Sequence, residues 1–315
     1  MYRFARAIGF RLDPERAHRL ALRLARARGL LPVRVPDADP TEAMGLRFRN
    51  RVGLAAGYDK DAVAWRGLAA MGFGHVEVGT VTPLPQPGNS RPRLHRVPEH
   101  EALVNSLGFP GRGMQAAVEG LVRRRPDGLV VGVSIGPNAD TPPERRRHDY
   151  ARLARRLAPV ADYLAVNVSS PNTAGLRSLE SARAAADLVA AVRSATGDGV
   201  PVAVKLSPDL DDPGGVAAAV ADAGAAGVIV ANTTTQRPGG VGAGLVGGLS
   251  GAPLRPLALR SLEAVAGRGL AVIACGGIMS GGDARRSLDA GASLVQVYTG
   301  LVYRGPRLVK EILGA

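Results

Sequence analysis

The 315-residue sequence is 46% apolar, with 41 glycines and 23 prolines spread between apolar runs, which allows a sizeable core and excludes a disordered chain. Its single cysteine, Cys275, excludes an intramolecular disulfide and a cysteine-based metal site, and the lack of any run of about 18 apolar residues excludes a predicted membrane span. The net charge of +13 favours an anionic partner about as much as a solvated, arginine-rich surface.

Residues 1–31 predict two amphipathic helices. The first covers Tyr2 to Phe10, and the second starts after Asp13, a good N-cap followed by a proline, and stops at Gly29. The segment holds eight arginines against two carboxylates, and four of the arginines recur at helical spacing. Such helices suit the surface of an anionic bilayer; a helix docked on the body with a solvated arginine face is the alternative. The arginines also interrupt the apolar residues, so we expect no signal peptide.

Residues 32–44 predict a proline-rich linker, and residues 45–315 predict a (β/α)8 TIM barrel. Eight short apolar runs, most followed by helix-like stretches, are the candidate strands: Gly53–Ala56, His75–Thr80, Leu129–Ser134, Tyr163–Val168, Val200–Leu206, Gly227–Ala231, Ala271–Ala274 and Ser293–Tyr298. An open doubly wound sheet is the alternative, but no Gly-x-Gly-x-x-Gly motif follows the first strand. Residues 82–110 do not fit one helix and predict an insertion over the barrel mouth.

Polar residues and glycines follow the predicted strands, where barrel enzymes carry their chemistry. In chain order they are Lys60, Thr80, Ser134, Asn167, Ser170, Lys205, Asn232, Thr233, Gly276, Gly277, Tyr298 and Thr299. Lysine is rare in this sequence, with three among 40 basic residues, so two lysines on one rim favour a role for a compact ammonium group.

The stretch from Leu164 to Glu180 reads LAVNVSSPNTAGLRSLE and predicts a strand that opens into a polar loop. Its amides and hydroxyls can bind a flat polar molecule and move one proton, although an ordinary Ser/Pro/Asn turn has the same composition. Two glycine-rich turns, at residues 247–253 and 275–278, lie beside strands 7 and 8, where barrels commonly bind phosphate; each is also compatible with a simple turn.

Taken together, these motifs resemble the dihydroorotate dehydrogenases of class 2, the membrane-associated, quinone-reducing kind. The similarity runs nearly from end to end through LDPERAHRL (12–20), FRNRVGLAAGYDKD (48–61), MGFGHVEVGTVTPLPQPGN (71–89), NVSSPNTAGLRS (167–178), NTT (232–234), GGLSG (247–251) and GASLVQVYTG (291–300). It implies oxidation of (S)-dihydroorotate to orotate in pyrimidine (UMP) biosynthesis, with one FMN per chain accepting the hydride and a membrane quinone as the final acceptor.

The resemblance also implies roles for individual residues. Ser170 would be the catalytic base, and a serine there, where class 1 enzymes carry cysteine, marks class 2. Substrate contacts are implied for Lys60, Asn105, Ser106, Leu107, Gly108, Phe109, Asn167, Asn172, Asn232 and Thr233. FMN contacts are implied for Ala56, Gly57, Tyr58, Asp59, Lys60, Thr80, Ser134, Asn167, Lys205, Ala231, Gly251, Gly277, Tyr298 and Thr299. The N-terminal helices would form a quinone tunnel, with His18 and Arg96 near the quinone head group; for His18 an exposed helix histidine is the alternative.

This sequence departs from the family pattern at several positions. NSLGFP replaces the usual Asn-Arg-x-Gly-Phe-Asn, which places Ser106 and Pro110 at family Arg and Asn positions. Ser134 stands where an asparagine usually touches FMN, and Ala231 where a threonine usually does. Each lost hydrogen bond is worth about 0.5–1.5 kcal/mol, so weaker FMN binding is expected.

As partners, the resemblance implies dihydroorotate, a quinone and an anionic membrane surface met by residues 1–31, with no nucleic acid. We expect a monomer, peripheral to the cytoplasmic face of the cell membrane. Three alternatives stay open: the same chemistry with a soluble acceptor such as fumarate or NAD, a non-catalytic basic protein that binds nucleic acid, and an inactive relative. The second has only the charge in its favour, since no zinc-finger spacing or aromatic-rich RNA-binding strand accompanies it.

Overall fold

The computed structural model describes residues 2–173 and 175–314, so Ala174 of the central loop lies outside the described residues. Its helices are α1 (Tyr2–Gly9), α2 (Pro14–Arg28), α3 (Trp65–Ala69), α4 (Gly113–Leu121), α5 (Arg146–Leu157), α6 (Ala182–Thr196), α7 (Pro213–Asp222), α8 (Arg255–Val265), α9 (Gly281–Asp289), α10 (Thr299–Arg304) and α11 (Arg307–Leu313). Its strands are β1 (Thr41–Ala43), β2 (Leu46–Phe48), β3 (Val52–Leu54), β4 (His75–Val81), β5 (Leu94–Val97), β6 (Ala102–Asn105), β7 (Val130–Ile135), β8 (Tyr163–Asn167), β9 (Val202–Leu206), β10 (Gly227–Val230), β11 (Gly248–Gly251), β12 (Ala271–Cys275) and β13 (Leu294–Val297).

Eight parallel strands close into a barrel in the order β3-β4-β7-β8-β9-β10-β12-β13. They are the eight strands predicted from the sequence, with ends that differ by one or two residues, and they confirm the (β/α)8 fold. Because neighbouring strands run parallel, their carboxyl ends share one rim; Asn167 of β8, for example, lies opposite Lys205 of β9. The barrel therefore gathers side chains that are far apart in the chain.

Side chains fill the interior of the barrel. Apolar residues of the strands pack inward on each other and outward on the helices. Two large side chains lie across glycines of neighbouring strands: a Cβ at Gly132 would come within 2.1 Å of the Tyr163 ring, and one at Gly53 within 2.0 Å of His75. Glycine is therefore required at both positions for Tyr163 and His75 to fit inside the barrel.

The predicted linker at residues 32–44 needs correction at its carboxyl end. Residues 41–43 form β1, which pairs antiparallel with β2, and Ala43 and Met44 are buried in the cluster inside the barrel. The hairpin packs its apolar side chains on those of the barrel strands, with Met44 against β10 near Gly227. The barrel unit therefore starts within the predicted linker. The sequence analysis missed β1 because this strand has only three residues and follows a proline-rich stretch.

Both N-terminal helices form as predicted. The Asp13 carboxylate accepts the backbone N–H of Arg16 at 2.9 Å, and Gly29 ends α2. Helix α2 packs closely on α3, where a Cβ at Gly67 would lie 1.6 Å from the Ala25 carbonyl oxygen. Helix α1 is tied to α10 by the Tyr2 hydroxyl, which donates to the Val302 carbonyl at 2.7 Å. Within the described residues, no helix is long and apolar enough to cross a bilayer.

The insertion predicted at residues 82–110 forms most of a small sheet at the barrel mouth. Strands β5 and β6 form an antiparallel pair, and β11, from the far end of the chain, adds to β6. This β11-β6-β5 sheet faces the carboxyl ends of the barrel strands. It supplies the roof of the cavity described next.

Candidate active site

The barrel rim and the β11-β6-β5 sheet enclose a cavity of about 1060 Å³, part of it open to solvent. Lys60 and Lys205 line it, and among the described residues of the lining there is no carboxylate. A cavity with two lysines and no acidic side chain suits a large anionic ligand.

Asn167, the last residue of β8, is held on both sides. Its side-chain amide donates to the Thr80 hydroxyl at 2.9 Å, and that hydroxyl shares a hydrogen bond of 3.0 Å with Ser134. The Tyr150 hydroxyl donates to the Asn167 carbonyl at 2.7 Å. These bonds fix the amide at the cavity wall, with its oxygen available to the loop that follows β8.

Three further asparagines are linked around the same wall. The Asn232 amide donates to the Ser169 hydroxyl at 2.9 Å, and the Asn172 amide donates to the side-chain oxygen of Asn105 at 3.1 Å. Asn232 comes from the end of β10, and Asn105 from β6 of the roof. Amides both donate and accept, so this set can match a ring with alternating N–H and C=O groups.

Ser170 lies in the loop after β8, buried and lining the cavity. Its hydroxyl oxygen accepts the backbone N–H of Asn172 at 3.3 Å. Within the described residues, no carboxylate or imidazole forms a hydrogen bond with this hydroxyl. A serine is a weak base without such a partner, so a basic role for this hydroxyl would require groups that act with a ligand bound.

The two cavity lysines differ in how they are held. The Lys60 ammonium donates to the Gly57 carbonyl at 2.5 Å, and burial lowers its pKa from 10.5 to about 8. Lys205 extends from β9 into the cavity and is buried. Both are held in place by the rim, Lys205 by its strand and Lys60 by the tight turn after β3.

Glycine-rich turns form the end of the cavity beside β12 and β13. A Cβ at Gly277 would lie 2.4 Å from the Cα of Arg255, so only glycine fits there. Within the described chain, the backbone N–H groups of Gly276 and Gly277 donate no hydrogen bond, and both residues line the cavity. Thr299, at the start of α10, shares a hydrogen bond of 2.9 Å with Ser250 of β11. Free N–H groups and hydroxyls at one end are the donors that a phosphate uses.

An aromatic stack joins the cavity wall to helix α2. Tyr298 lines the cavity and packs edge-on against Tyr58 at 5.4 Å between ring centroids, and Tyr58 packs in turn against His18 at 4.8 Å. Burial, together with the charge of Lys60, lowers the pKa of His18 to about 4, so its imidazole is neutral near pH 7. Arg96 is not part of this row of rings; its guanidinium carbon lies 4.6 Å from the centroid of the Phe10 ring.

Most of the site residues predicted from the sequence line this one cavity. They are Ala56, Gly57, Lys60, Thr80, Asn105, Leu107, Gly108, Phe109, Asn167, Ser170, Asn172, Lys205, Ala231, Asn232, Thr233, Gly251, Gly277, Tyr298 and Thr299. His18, on α2, and Arg96, on β5, do not line it.

Four predicted contacts do not line the cavity. Ser134 lies behind Thr80, and Tyr58 lies behind Tyr298. The Asp59 carboxylate turns into its own loop, where it accepts the N–H groups of the loop before α3. Ser106 is bound through its backbone to the roof loops. Sequence neighbours of Tyr58, Asp59 and Ser106 line the cavity, while those of Ser134 do not.

Four further cavity residues, Ser250, Cys275, Gly276 and Ile278, lie in the two glycine-rich turns that the sequence predicted. The cavity residues missed by the sequence analysis are Ala55, Leu94, Leu103, Leu254, Gln296, Val297 and Gly300. Gln296 carried a usable signal, because a polar residue inside a buried strand is unusual; its amide donates to Glu77 at 3.0 Å. Leu94 and Leu103 carried none, because the roof strands could not be placed from sequence. Among the described residues, no group of His, Cys, Asp or Glu is arranged to bind a metal ion.

Comparison with known proteins places this chain among a large set of relatives. The sequence profile of the family described as dihydroorotate dehydrogenase matches residues 40–314. A protein of Marinobacter nauticus named dihydroorotate dehydrogenase (quinone) is 45% identical across all of this chain and 98% of the relative. One of the same name from Burkholderia thailandensis is 47% identical across all of this chain and 97% of the relative.

Solved structures give the same picture of the fold. The crystal structure of DHODH from Eimeria tenella in complex with ferulenol is similar with a TM-score of 0.88 and 36% identity, covering 96% of this chain and 90% of the other. The ligand-free form of the Eimeria tenella protein gives a TM-score of 0.87 at the same identity. The similarity therefore includes the N-terminal segment as well as the barrel.

Proposed function

The chain belongs to the dihydroorotate dehydrogenase family, and from that premise we infer that it works as one of the quinone-dependent members. It oxidises (S)-dihydroorotate to orotate in pyrimidine (UMP) biosynthesis and passes the electrons through a flavin to a quinone. The observation that carries this conclusion is the meeting of Ser170, two lysines and four asparagines in one cavity. The chemistry with fumarate or NAD as acceptor becomes the alternative outcome of the assays below.

We propose that the flavin is FMN, one per chain. The free N–H groups of Gly276 and Gly277 and the Lys205 side chain, all at the cavity wall, support this choice. Bound FMN would supply the hydride acceptor for dihydroorotate and the electron carrier to the quinone. Gly251, Gly277, Tyr298 and Thr299 would hold its phosphate end, and Ala56, Gly57 and Thr80 would line its ring.

The departures from the family pattern bear on how tightly FMN is held. Ser134 would not reach it directly, because its hydroxyl is bound to Thr80. It would act by orienting that threonine. Ala231 is buried at the cavity wall and can offer only its backbone. We therefore expect FMN affinity to depend on the glycine turns and lysines more than on side-chain hydroxyls.

For the substrate, we propose that the asparagine set orients the pyrimidine ring. Asn105 and Asn172 form one linked pair, and Asn167 and Asn232 lie across the rim near Ser169. The hydrogen bond within each pair holds both side chains in one rotamer before a ligand binds, which reduces the conformational entropy lost on binding. The Lys60 ammonium would contact substrate and flavin and offset the negative charge of the substrate carboxylate.

We propose that Ser170 takes the C5 proton of dihydroorotate. The Asn172 N–H that its hydroxyl oxygen accepts would stabilise the developing alkoxide, and its own hydroxyl hydrogen would pass to water at the open side of the cavity as the oxygen takes the C5 proton. The Ser170 side chain is itself buried, and the cavity that it lines is open to solvent in part. Lys205 would hold a positive charge near the flavin as electrons arrive, lowering the cost of the developing negative charge.

We further propose that the quinone enters between the N-terminal helices and reaches the wall formed by Tyr58 and Tyr298. His18 and Arg96 would lie near its head group. The exposed large apolar residues are concentrated on this segment: Phe4, Ile8, Leu12, Leu20, Leu24, Leu30 and Leu31. Together with the arginines of residues 1–31, they suit an anionic bilayer surface. We therefore propose that the protein binds peripherally at the cytoplasmic face of the cell membrane, and we further propose that it is a monomer.

The first experiment is an anaerobic visible spectrum of the purified protein. A flavin spectrum that bleaches with L-dihydroorotate and returns with a quinone analogue, but not with fumarate or NAD, is the expected result. Return with fumarate or NAD alone would reassign the acceptor. A colourless protein that binds no FMN on reconstitution would instead support the inactive relative.

The role of Ser170 is tested by a pair of substitutions. Ser170→Ala should lower dihydroorotate oxidation by at least about 10²-fold, the range usual for losing a general base, while orotate still binds. Ser170→Cys should restore part of the rate with a pH profile moved to lower pH, because a thiol loses its proton more readily. Ser178→Ala, on an exposed position of the same loop, is the matched control. Full activity of Ser170→Ala would remove the base assignment.

A further inference from the structure

Arg93 connects helix α2 to the loop that leads into β5. Its guanidinium makes a two-point ion pair with Glu15, Nε to Oε1 at 2.9 Å and Nη2 to Oε2 at 3.1 Å. The remaining nitrogen, Nη1, donates to the carbonyls of Pro87 at 2.6 Å and Asn89 at 2.8 Å. The Arg93 side chain is only 6% exposed, and Glu15 is 16% exposed. A charge so buried needs all of these partners, so the loop and the helix are held to each other.

The loop held by Arg93 contacts the substrate amides. The side-chain amide of Asn89 donates to the Ser106 carbonyl at 2.9 Å and to the Asn172 carbonyl at 3.0 Å. The Asn172 amide then donates to Asn105 inside the cavity. The chain of contacts therefore runs from α2 through Arg93 and Asn89 to two of the asparagines that line the cavity.

The backbone of Arg93 reaches the same place by a second route. Its carbonyl accepts the N–H of Ser106 at 2.8 Å, next to the paired residues Leu94 and Asn105 of the roof sheet. There is little free space between the routes: a Cβ at Gly88 would lie 2.7 Å from Arg93 Nη1 and 2.3 Å from the Leu107 carbonyl oxygen. A movement of Arg93 would therefore also move Asn89 and Ser106, the two residues through which it reaches the cavity wall.

We propose that Arg93 is a positioning residue that couples helix α2 to the pyrimidine end of the cavity. Neither Arg93 nor Glu15 lines the cavity, so both act through Asn89 and Ser106 on Asn172 and Asn105. By linkage, a bound pyrimidine stabilises the seating of α2, and displacement of α2 weakens pyrimidine binding by the same factor. This inference rests on the proposed function, since the pyrimidine is the substrate proposed above.

The test begins on the helix side, far from the ligand. Glu15→Gln in the holoenzyme removes the charge that Arg93 needs, and orotate Kd is measured by calorimetry beside KM and kcat for dihydroorotate. We expect orotate Kd and KM to rise about tenfold, as for a lost charge-assisted hydrogen bond, with kcat at saturation within about twofold. Arg91→Gln is the matched control: Arg91 also pairs with Glu15, at 3.0 Å, but is 63% exposed, so orotate Kd should not change.

A second pair of variants and a ligand-free measurement complete the test. Arg93→Lys keeps the positive charge but loses the planar guanidinium that pairs with Glu15 at two points. Its orotate affinity should therefore lie between those of wild type and Arg93→Gln. Without ligand, amide hydrogen exchange in peptides spanning 87–89, 105–106 and 170–173 should accelerate in Glu15→Gln and not in Arg91→Gln. Unchanged orotate Kd and unchanged exchange in Glu15→Gln would overturn the inference. Wild-type protein that binds no orotate would overturn the proposed function instead, with the exchange data still deciding the coupling.

Discussion

Lys60 is expected to lower the stability of the flavin-free protein while serving the reaction. Burial lowers its pKa from 10.5 to about 8, which means that the folded chain holds the ammonium less readily than the unfolded chain does. A change of that size corresponds to roughly 3 kcal/mol as an upper bound. Water in the open cavity and the lost bond to the Gly57 carbonyl reduce it, so Lys60→Met should raise the free energy of unfolding at pH 7 by about 1–2 kcal/mol.

The sign of the pH dependence follows from the direction of the pKa change. Between about pH 8 and 10.5 the unfolded chain binds the Lys60 proton and the folded chain does not, so wild-type stability rises with pH relative to the variant. Below about pH 8 both states are protonated and the full penalty is present. Urea unfolding of flavin-free wild type and Lys60→Met should therefore differ most at pH 7 and least near pH 10.

Activity should change in the opposite direction. Losing a charge-assisted hydrogen bond of about 1.5–3 kcal/mol should lower kcat/KM for dihydroorotate roughly 10- to 150-fold in Lys60→Met. In wild type, kcat/KM should also fall at alkaline pH as the free enzyme loses the ammonium, whose pKa burial lowers, and the variant should lack that fall. Lys310→Met, at an exposed position of α11, is the matched control. A variant no more stable than wild type at pH 7, with the same high-pH fall, would refute the reasoning.

Three further predictions concern the turn after β3, the barrel interior and the N-terminal surface. Asp59→Asn should lower the free energy of unfolding by about 1–2 kcal/mol in urea, because the buried carboxylate accepts two backbone N–H groups at 2.8 and 2.9 Å. Gly132→Ala should cost about 2–3 kcal/mol or prevent folding, because the new Cβ would meet the Tyr163 ring. The double variant Phe4→Glu/Leu24→Glu should bind anionic vesicles more weakly and raise the quinone KM, with orotate affinity unchanged.

Each of these has a control of the same chemistry. Asp140→Asn is exposed and should not alter stability, and Gly199→Ala adds a Cβ with no heavy atom within 4 Å. Val246→Glu places a new charge on an exposed residue away from the N-terminal helices and should leave vesicle binding unchanged. Equal effects in variant and control would contradict the corresponding prediction, and loss of orotate binding in the double variant would show that the surface change had disturbed the barrel.

The barrel and most of its rim could be predicted from the sequence alone. Short β-rich runs at regular spacing can bury both faces only in a parallel sheet covered by helices, so their number and order predicted the closed fold. The same physics placed Asn167, Lys205 and Asn232 together, because the carboxyl ends of parallel strands lie on one edge. Local capping fixed α2, since Asp13 and Gly29 satisfy its end groups without help from the rest of the chain.

Which residues near those positions face the cavity depends on the three-dimensional packing and could not be predicted from the sequence. Ser134 and Asp59 have the right residue types beside cavity residues, yet one lies behind Thr80 and the other is bound to its own loop. The roof sheet and the pair between Glu15 and Arg93 join segments that are far apart in the chain. Such contacts depend on how the closed barrel brings distant loops together. The local hydrophobic periodicity of the sequence predicts secondary structure and does not predict that geometry.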